Sequence, residues 1–272
     1  MNYVISLMKD IVKKRRLIAD LAKADFRKRF VGSYFGVVWM FVHPIVTVAI
    51  YYFVFGVGFR SVNPIEGVPY VLWLVPGIVP WFYFNEALNA GTNCLQEYSY
   101  LVKKVVFRVE ILPIIKMLSC LIVHLIFMVI MIGLFLCFGW FPKITWVQAL
   151  YYTFGVTMYT IALVYFTCSI QVFFKDMSQI VSICLQFGMW LIPIMWREEQ
   201  FLDRAFYPVL SIAMKLNPMY YIVVGYRDSL LLGNWFWQRP TMTLYFWGVT
   251  IGLFLAGLKV FKRLRPHFSD VL

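Results

Sequence analysis

Residues 9–44 read KDIVKKRRLIADLAKADFRKRFVGSYFGVVWMFVHP, a basic segment joined directly to the first apolar run long enough to cross a bilayer. At about 100° per residue, a helix over the basic part separates charged from apolar side chains. The charged face holds Lys9, Lys13, Arg16, Asp20, Lys23 and Arg27, and the opposite face holds Val4, Met8, Ile11, Ile18, Leu21, Ala22 and Phe26. We therefore predict an amphipathic interfacial helix within residues 1–33, lying along a membrane surface. Lys14 and Arg15 interrupt its apolar face, which predicts a break there.

The composition predicts an integral membrane protein. Of 272 residues, 62% are hydrophobic and 14% are charged, and the mean hydropathy is +0.75. Soluble proteins carry about 25% charged residues. This length accommodates about six or seven spans of roughly 20 residues each, with little left for an enzyme domain in water.

Six apolar runs predict six spans in an all-α fold, with residues 34–272 as the transmembrane permease domain. The runs are 34–59, 70–93, 114–138, 146–174, 180–196 and 242–261. Pro76, Gly77 and Pro80 predict a kink or a break in the second. Between the fifth and the sixth, residues 197–234 mix charges with two apolar stretches that are broken at Asn217-Pro218. We expect two re-entrant half-helices there, open to the outer side.

The net charge of +12 is distributed in a way that predicts topology. Of the 25 Lys and Arg residues, 18 lie in four segments that alternate with the spans. The positive-inside rule makes those segments cytoplasmic, including both termini, so we predict a multi-pass protein of the cytoplasmic (inner) membrane. The charge therefore favours contact with anionic membrane lipids over nucleic acid.

Enzymatic motifs are missing from the sequence. It contains no GxxxxGK[ST] phosphate loop, no HExxH and no DxD or DDxxD cluster, so we predict no metal site, no bound cofactor and no ATP hydrolysis by this chain. An alternative from another class is an integral transferase acting on polyprenyl-phosphate lipids. It needs clustered carboxylates near the inner interface, and the sequence spacing shows no such cluster.

The second span carries Glu86, Asn89 and Asn93 at helical spacing, and Glu86 is an acidic residue deep in a predicted span. An ionisable group in such a place usually avoids lipid and can face a polar path. An interhelical hydrogen bond that only stabilises packing is equally consistent with this pattern. Both interpretations stay open at this point.

Three stretches carry a resemblance to a known family: DFRKRFVGSYFGVVW at 25–39 with Pro44, YLVKKVVF at 100–107 through Pro113, and LNPM at 216–219 followed by Tyr226-Arg227. With them the chain resembles the permease subunits of type-2 ATP-binding-cassette exporters of lipid-linked polysaccharides, which serve O-antigen, capsule and teichoic acid export. The resemblance covers nearly the whole length. The family frequently has proline where this chain has Arg108.

The resemblance implies a second copy of the chain, two separate ATPase subunits that supply ATP and Mg²⁺, and a polyprenyl-diphosphate-linked glycan as substrate; a permease for another lipid or small molecule is the nearer alternative. It also implies a coupling segment at 93–113 and an outer gate at 197–234. The residues expected to capture the lipid headgroup are Lys13, Lys14, Arg15, Arg16, Arg27, Lys28 and Arg29. Those expected to contact the ATPase are Glu97, Tyr100, Lys103, Lys104, Phe107, Arg108 and Asp176. Those expected along the translocation path or gate are Glu86, Asn89, Trp39, Trp196, Asn217, Pro218 and Arg227.

Overall fold

The computed structural model describes residues 2–29, 34–58, 65, 67–103 and 108–272, and its regular structure over these ranges is helical. Two amphipathic helices come first, α1 (Asn2–Lys13) and α2 (Arg15–Lys28). The predicted break therefore occurs at Lys14. Ile18, Ala22 and Asp25 are the buried residues of α2, which packs against α7 (Leu112–Cys137).

Five helical segments of the described residues are long and apolar enough to cross a membrane, which confirms an integral membrane protein. They are Val38–Gly58, Tyr70–Thr92, Val109–Cys137, Ile144–Gln171 and Pro240–Val271. The first contains α3 (Val38–Tyr51) and a π-helical end at Tyr52–Gly58. The others contain α4 (Tyr70–Thr92), α7, α8 (Gln148–Gln171) and α12 (Pro240–Leu264).

Helix α4 lies at the centre of the fold. It contacts α7, α8, α9 (Met177–Leu191) and α11 (Pro218–Arg227), and most of its side chains are buried. Pro76 and Pro80 both lie inside the helix, which continues through them without a break. The neighbouring helices on several sides support this continuity, because packing can offset the backbone hydrogen bonds that proline removes.

Helix α9 is shorter than the predicted fifth span. Its 15 residues rise about 22 Å, less than the roughly 30 Å of a bilayer core. It ends at Leu191 because Ile192 precedes Pro193, and a residue before proline favours the extended conformation that Ile192 adopts, with ψ at 139°. By length, five helical segments of the described residues can cross a membrane, and α9 is a shorter apolar helix.

The region after α9 consists of short helices. A 3₁₀ turn at Glu198–Phe201 leads to α10 (Tyr207–Leu216), and Asn217 separates α10 from α11. The Asn217 side chain accepts a hydrogen bond from the Met219 backbone N–H at 3.0 Å, and Pro218 is the first helical residue. A side-chain cap followed by proline is a strong helix start, so the sequence Asn-Pro fixes this boundary.

Helix α12 contains three glycines, Gly248, Gly252 and Gly257, and they differ in how closely other parts of the chain approach them. A Cβ added to Gly248 or Gly252 would meet no atom within 4 Å. Gly257 instead makes the close approach, since a Cβ there would lie 2.8 Å from the Ala162 carbonyl oxygen of α8. Contact between α8 and α12 therefore depends on Gly257.

Candidate functional site

A cavity of about 790 Å³ lies between α2, α3, α4 and α7, and we call it the Arg29 cavity. Its ionisable lining consists of Asp25, Lys28, Arg29, Glu86, Glu97 and Lys116, and α3 contributes Trp39, His43 and Pro44. Amphipathic and membrane-spanning helices thus meet around one cavity that has charged and apolar groups in its lining.

Asp25 is the junction of the charged groups. Its carboxylate is buried, and Oδ1 accepts hydrogen bonds from the Tyr98 hydroxyl at 2.5 Å and from Lys116 Nζ at 2.9 Å. Burial alone raises the pKa of Asp25, but hydrogen-bond donors, including Tyr98 and Lys116, together hold it below its ordinary value of 3.8. Asp25 is therefore an anion at neutral pH, held between α2, α7 and the predicted coupling segment.

Lys116 provides a second connection between the Asp25 junction and the coupling segment, in addition to the Tyr98–Asp25 hydrogen bond. Its ammonium group lies 2.5 Å from Glu97 Oε2, at the end of the short helix α5 (Cys94–Glu97). The Lys116 side chain is buried, so its charge requires the two carboxylates around it. The carboxylates of Asp25 and Glu97 thus hold α2 and α5 to the start of α7.

Arg29 extends the cluster into the cavity. Its guanidinium forms an ion pair with Glu86 of α4, lies 3.6 Å from Asp25 and donates to Cys120 Sγ at 3.0 Å. Burial alone lowers the pKa of Arg29, but its interactions with Cys120, Glu86 and Asp25 together raise that pKa above its ordinary value, so Arg29 stays cationic. The cluster therefore continues from the cavity, through Arg29 and Asp25, to Tyr98.

The structure brings only part of the predicted headgroup-capture set to the cavity. Lys28 and Arg29 line it, whereas Lys13, Lys14, Arg15, Arg16 and Arg27 do not. Lys13, Arg15, Arg16 and Arg27 are exposed and Lys14 is half-buried, at and beyond the junction of α1 and α2. These five can attract anionic lipids from the surface without touching a ligand in the cavity.

Most of the predicted coupling residues that the structure describes are exposed. Tyr100, Lys103 and Asp176 are exposed, and Glu97 is exposed at the cavity. Lys104 and Phe107 lie outside the described residues.

Arg108 makes internal contacts instead of presenting a free charge. It forms an ion pair with Asp10 of α1 and lies 3.7 Å from the carboxylate of Glu110. Glu110 is fully buried and also pairs with Arg265, at 2.7 Å, after α12. Arg108 therefore connects α1 to the coupling segment in place of the proline frequent in the resembling family.

The predicted path and gate residues form two groups. Trp39, Glu86 and Asn89 line the Arg29 cavity. Trp196, Asn217, Pro218 and Arg227 lie in the region of α9 to α11, where Trp196 donates its indole N–H to the Trp190 carbonyl at 3.1 Å. The path set therefore does not line one continuous space within the described part of the chain.

Arg227 is buried among carbonyl groups. Its guanidinium donates to the backbone oxygens of Trp73, Pro193 and Ile194 at 3.2, 2.6 and 2.8 Å, and it lies 3.5 Å from the centre of the Trp73 ring. It edges a second cavity of about 400 Å³, the Arg227 cavity, with Arg197, Glu198 and Tyr220. Arg227 therefore fixes the turn after α9 to α4 and α11.

Sequence reasoning missed the roles of Asp25, Tyr98 and Lys116. Lys116 belongs to the basic segment at 103–116 that the charge distribution predicts to be cytoplasmic, and the structure buries it in α7. Two signals were present, since Asp25 of α2 and Arg29, directly after α2, are spaced i,i+4 and Lys116 stands alone within an apolar run. An isolated cation in such a run needs a carboxylate partner, but the sequence does not identify it.

Residues 17–231 match the family model described as ABC-2 type transporter. This match covers most of the chain, so the protein belongs to the ABC-2 type transporter family of membrane-embedded transport subunits.

Individual relatives are similar along almost the whole length. The chain is 24% identical over 269 residues to the O-antigen export system permease protein RfbA of Myxococcus xanthus, covering 98% of this chain and 99% of that protein. It is 23% identical over 260 residues to an O-antigen export system permease protein RfbA of Klebsiella pneumoniae, covering 94% of this chain and 95% of that protein.

Proposed function

We propose that this chain is the permease subunit of an ATP-driven exporter that moves an O-antigen-type polysaccharide, linked to a polyprenyl diphosphate, across the cytoplasmic membrane. The similarity to O-antigen export permeases over 98% and 94% of the chain supports the substrate class. Membership of the ABC-2 type transporter family favours transport over the transferase alternative.

The Arg29 cavity is the observation that supports a lipid diphosphate as the substrate. It is lined by the amphipathic helix α2 with Lys28 and Arg29, and by the apolar helix α3. A polyprenyl diphosphate has an apolar tail and an anionic headgroup, so it requires lipid and cationic groups at one place. In this proposal the exposed cations of α1 and α2 concentrate the lipid, and the cavity receives its headgroup.

The proposed topology has six crossings with both termini in the cytoplasm. Five crossings are the long helices, and α9 with the residues up to Trp196 completes the sixth. Helices α10 and α11 have 10 residues each, about 15 Å, which is half of a bilayer core. They form the proposed re-entrant gate at the outer side.

Two copies of the chain and two ATPase subunits form the proposed exporter. The ATPase hydrolyses ATP with Mg²⁺ and contacts the coupling segment through Tyr100, Lys103, Lys104 and Phe107. Tyr100 is 55% exposed although it is a large aromatic side chain, as a docking residue requires. The Tyr98–Asp25 hydrogen bond places this segment in contact with the helix that borders the cavity.

The test replaces Lys103, Lys104 and Phe107 together by alanine in cells that export through this chain. We expect loss of most surface polysaccharide and at least a fivefold lower yield of co-purified ATPase, because an interface depends on a few anchoring side chains. The matched control replaces Phe141 and Lys143, which lie in the turn between α7 and α8 on the predicted outer side. The coupling role is contradicted if the triple variant retains the full yield of co-purified ATPase and full export. The proposed function is contradicted if surface polysaccharide is unchanged after deletion of the chain.

A further inference from the structure

Charges around the Arg29 cavity are balanced. Three cations, Lys28, Arg29 and Lys116, line it together with three carboxylates, Asp25, Glu86 and Glu97. A diphosphate entering this space meets as many negative groups as positive ones, so attraction and repulsion offset each other at short range. Arg29 and Lys116 are both paired with carboxylates, so an anion can bind directly to either of them only if a carboxylate releases it.

Of these two paired cations, Arg29 is the one that an entering anion can reach more easily. Its guanidinium is planar and presents parallel N–H donors, the arrangement that binds phosphate oxygens in pairs. Its side chain is 18% exposed, whereas that of Lys116 is 6% exposed and already lies between Asp25 and Glu97. A ligand in the cavity therefore reaches Arg29 with less rearrangement than it needs to reach Lys116.

Glu86 is the carboxylate best placed to withdraw. Asp25 is buried and accepts from both Tyr98 and Lys116, so removing it would break two hydrogen bonds at once. Glu86 has Arg29 as its partner among the described residues, and its side chain is 41% exposed. Because Glu86 lines the cavity, it can turn away from Arg29 while Arg29 keeps its contacts with Asp25 and Cys120.

We propose that Glu86 is a displaceable counterion of Arg29, occupying the place that a phosphate group of a diphosphate ligand takes when it binds. This inference rests on the proposed function for the identity of the ligand, a polyprenyl diphosphate. It assigns Glu86 a role in specificity, because a neutral lipid cannot displace a carboxylate from a guanidinium. It also limits the binding of anions that carry too little charge to compete.

The test measures ligand binding to the full chain in nanodiscs of phosphatidylcholine. Farnesyl diphosphate serves as a short polyprenyl diphosphate, farnesol as its neutral counterpart and inorganic pyrophosphate as the free anion. We expect Glu86→Gln to bind farnesyl diphosphate about tenfold more tightly than the natural chain, the effect of removing one competing charge-assisted hydrogen bond. Arg29→Gln loses the binding, and farnesol affinity stays constant in all variants.

Asp20→Asn is the matched control because it removes an exposed carboxylate from α2 and changes the net charge equally. Its affinity for farnesyl diphosphate should remain within twofold of the natural chain. Equal gains in Asp20→Asn and Glu86→Gln show general charge attraction and overturn the proposal. If pyrophosphate instead binds as tightly as farnesyl diphosphate and binds more tightly still to Glu86→Gln, the result supports displacement of Glu86 from Arg29, with the free anion as the ligand.

A purely structural Glu86 gives a different result. If Glu86 only stabilises packing, Glu86→Gln lowers the melting temperature and weakens binding or leaves it unchanged, which overturns the proposal. Glu86→Asp provides a second measurement, since a shortened carboxylate competes less and should give an intermediate affinity. The counterion proposal is also overturned if the natural chain does not bind farnesyl diphosphate. The proposed transport function is tested separately, because it still holds if the same chain exports polysaccharide.

Discussion

Arg29 and Arg227 are two shielded arginines whose surroundings differ in chemistry. Arg29 is surrounded by ionised or ionisable groups, Glu86, Asp25 and Cys120, and it lines the larger cavity. Arg227 donates to three backbone carbonyls and stacks on an aromatic ring. A carboxylate can be exchanged for a phosphate, but a backbone carbonyl cannot leave without moving the chain. The contrast indicates an exchangeable site at Arg29 and a fixed one at Arg227.

The largest effect is expected from Arg227→Leu. It leaves three carbonyl groups without their donor in a buried place, and an unsatisfied buried group costs about 1–3 kcal/mol. We expect the free energy of unfolding to fall by about 4 kcal/mol in total, measured by thermal unfolding in detergent. Arg227→Lys retains the charge but lacks the planar donors, so it should recover less than half of this loss.

The free energy of unfolding of Arg29→Leu, measured in the same way, tests the difference between the two arginines. Glu86 and Asp25 can still reach solvent or Lys116, so Arg29→Leu should destabilise the chain less than Arg227→Leu while it affects binding more. A larger loss of stability in Arg29→Leu than in Arg227→Leu would show that both arginines are structural, and the distinction between them would be wrong.

Lowering the pH should destabilise the folded chain at the cluster around Arg29, because Asp25 becomes protonated. The pKa of Asp25 is lowered in the folded chain, so its stabilising contribution is complete above the ordinary value of 3.8 and is lost as pH falls through the lower, folded value. At pH 7 we expect the natural chain to exceed Asp25→Asn by about 2 kcal/mol in free energy of unfolding. This difference should narrow as the pH is taken from 5 to below about 3.8, measured by thermal unfolding.

Asp20→Asn provides the reference for that titration, since Asp20 is exposed on the same helix. Its unfolding curve should follow that of the natural chain at every pH. A constant difference between the natural chain and Asp25→Asn down to pH 3 contradicts an ionised, stabilising Asp25.

Hydropathy was sufficient to predict the long helices. The second run was predicted at 70–93 and the helix occupies Tyr70–Thr92, because a buried apolar stretch of this length has few alternatives to a helix. The break at Lys14 was predictable from two charges that interrupt one face. Helix α9 was predicted too long, since apolar residues continue to Trp196 although Pro193 ends the helix at Leu191.

The charged cluster was only partly predictable. Glu86 and Asn89 stood out because polar residues in an apolar run are costly, and both line the cavity. The contact between Asp25 and Lys116 joins residues 91 positions apart, and no local spacing indicates which carboxylate an isolated lysine will meet. Such pairs depend on how α2 packs against α7, which periodicity alone does not determine.

The smallest effect is expected from Asn217→Ala, at the start of α11 in the surroundings of Arg227. The variant removes the side-chain oxygen that accepts from the Met219 N–H, and loss of a helix cap costs about 1 kcal/mol. Asn217→Asp keeps an acceptor there and should restore most of the stability in thermal unfolding. Because Arg227 packs through neutral carbonyls, farnesyl diphosphate affinity should remain unchanged in Asn217→Ala. A reduced affinity in this variant would show that the helices around Arg227 also shape the Arg29 cavity.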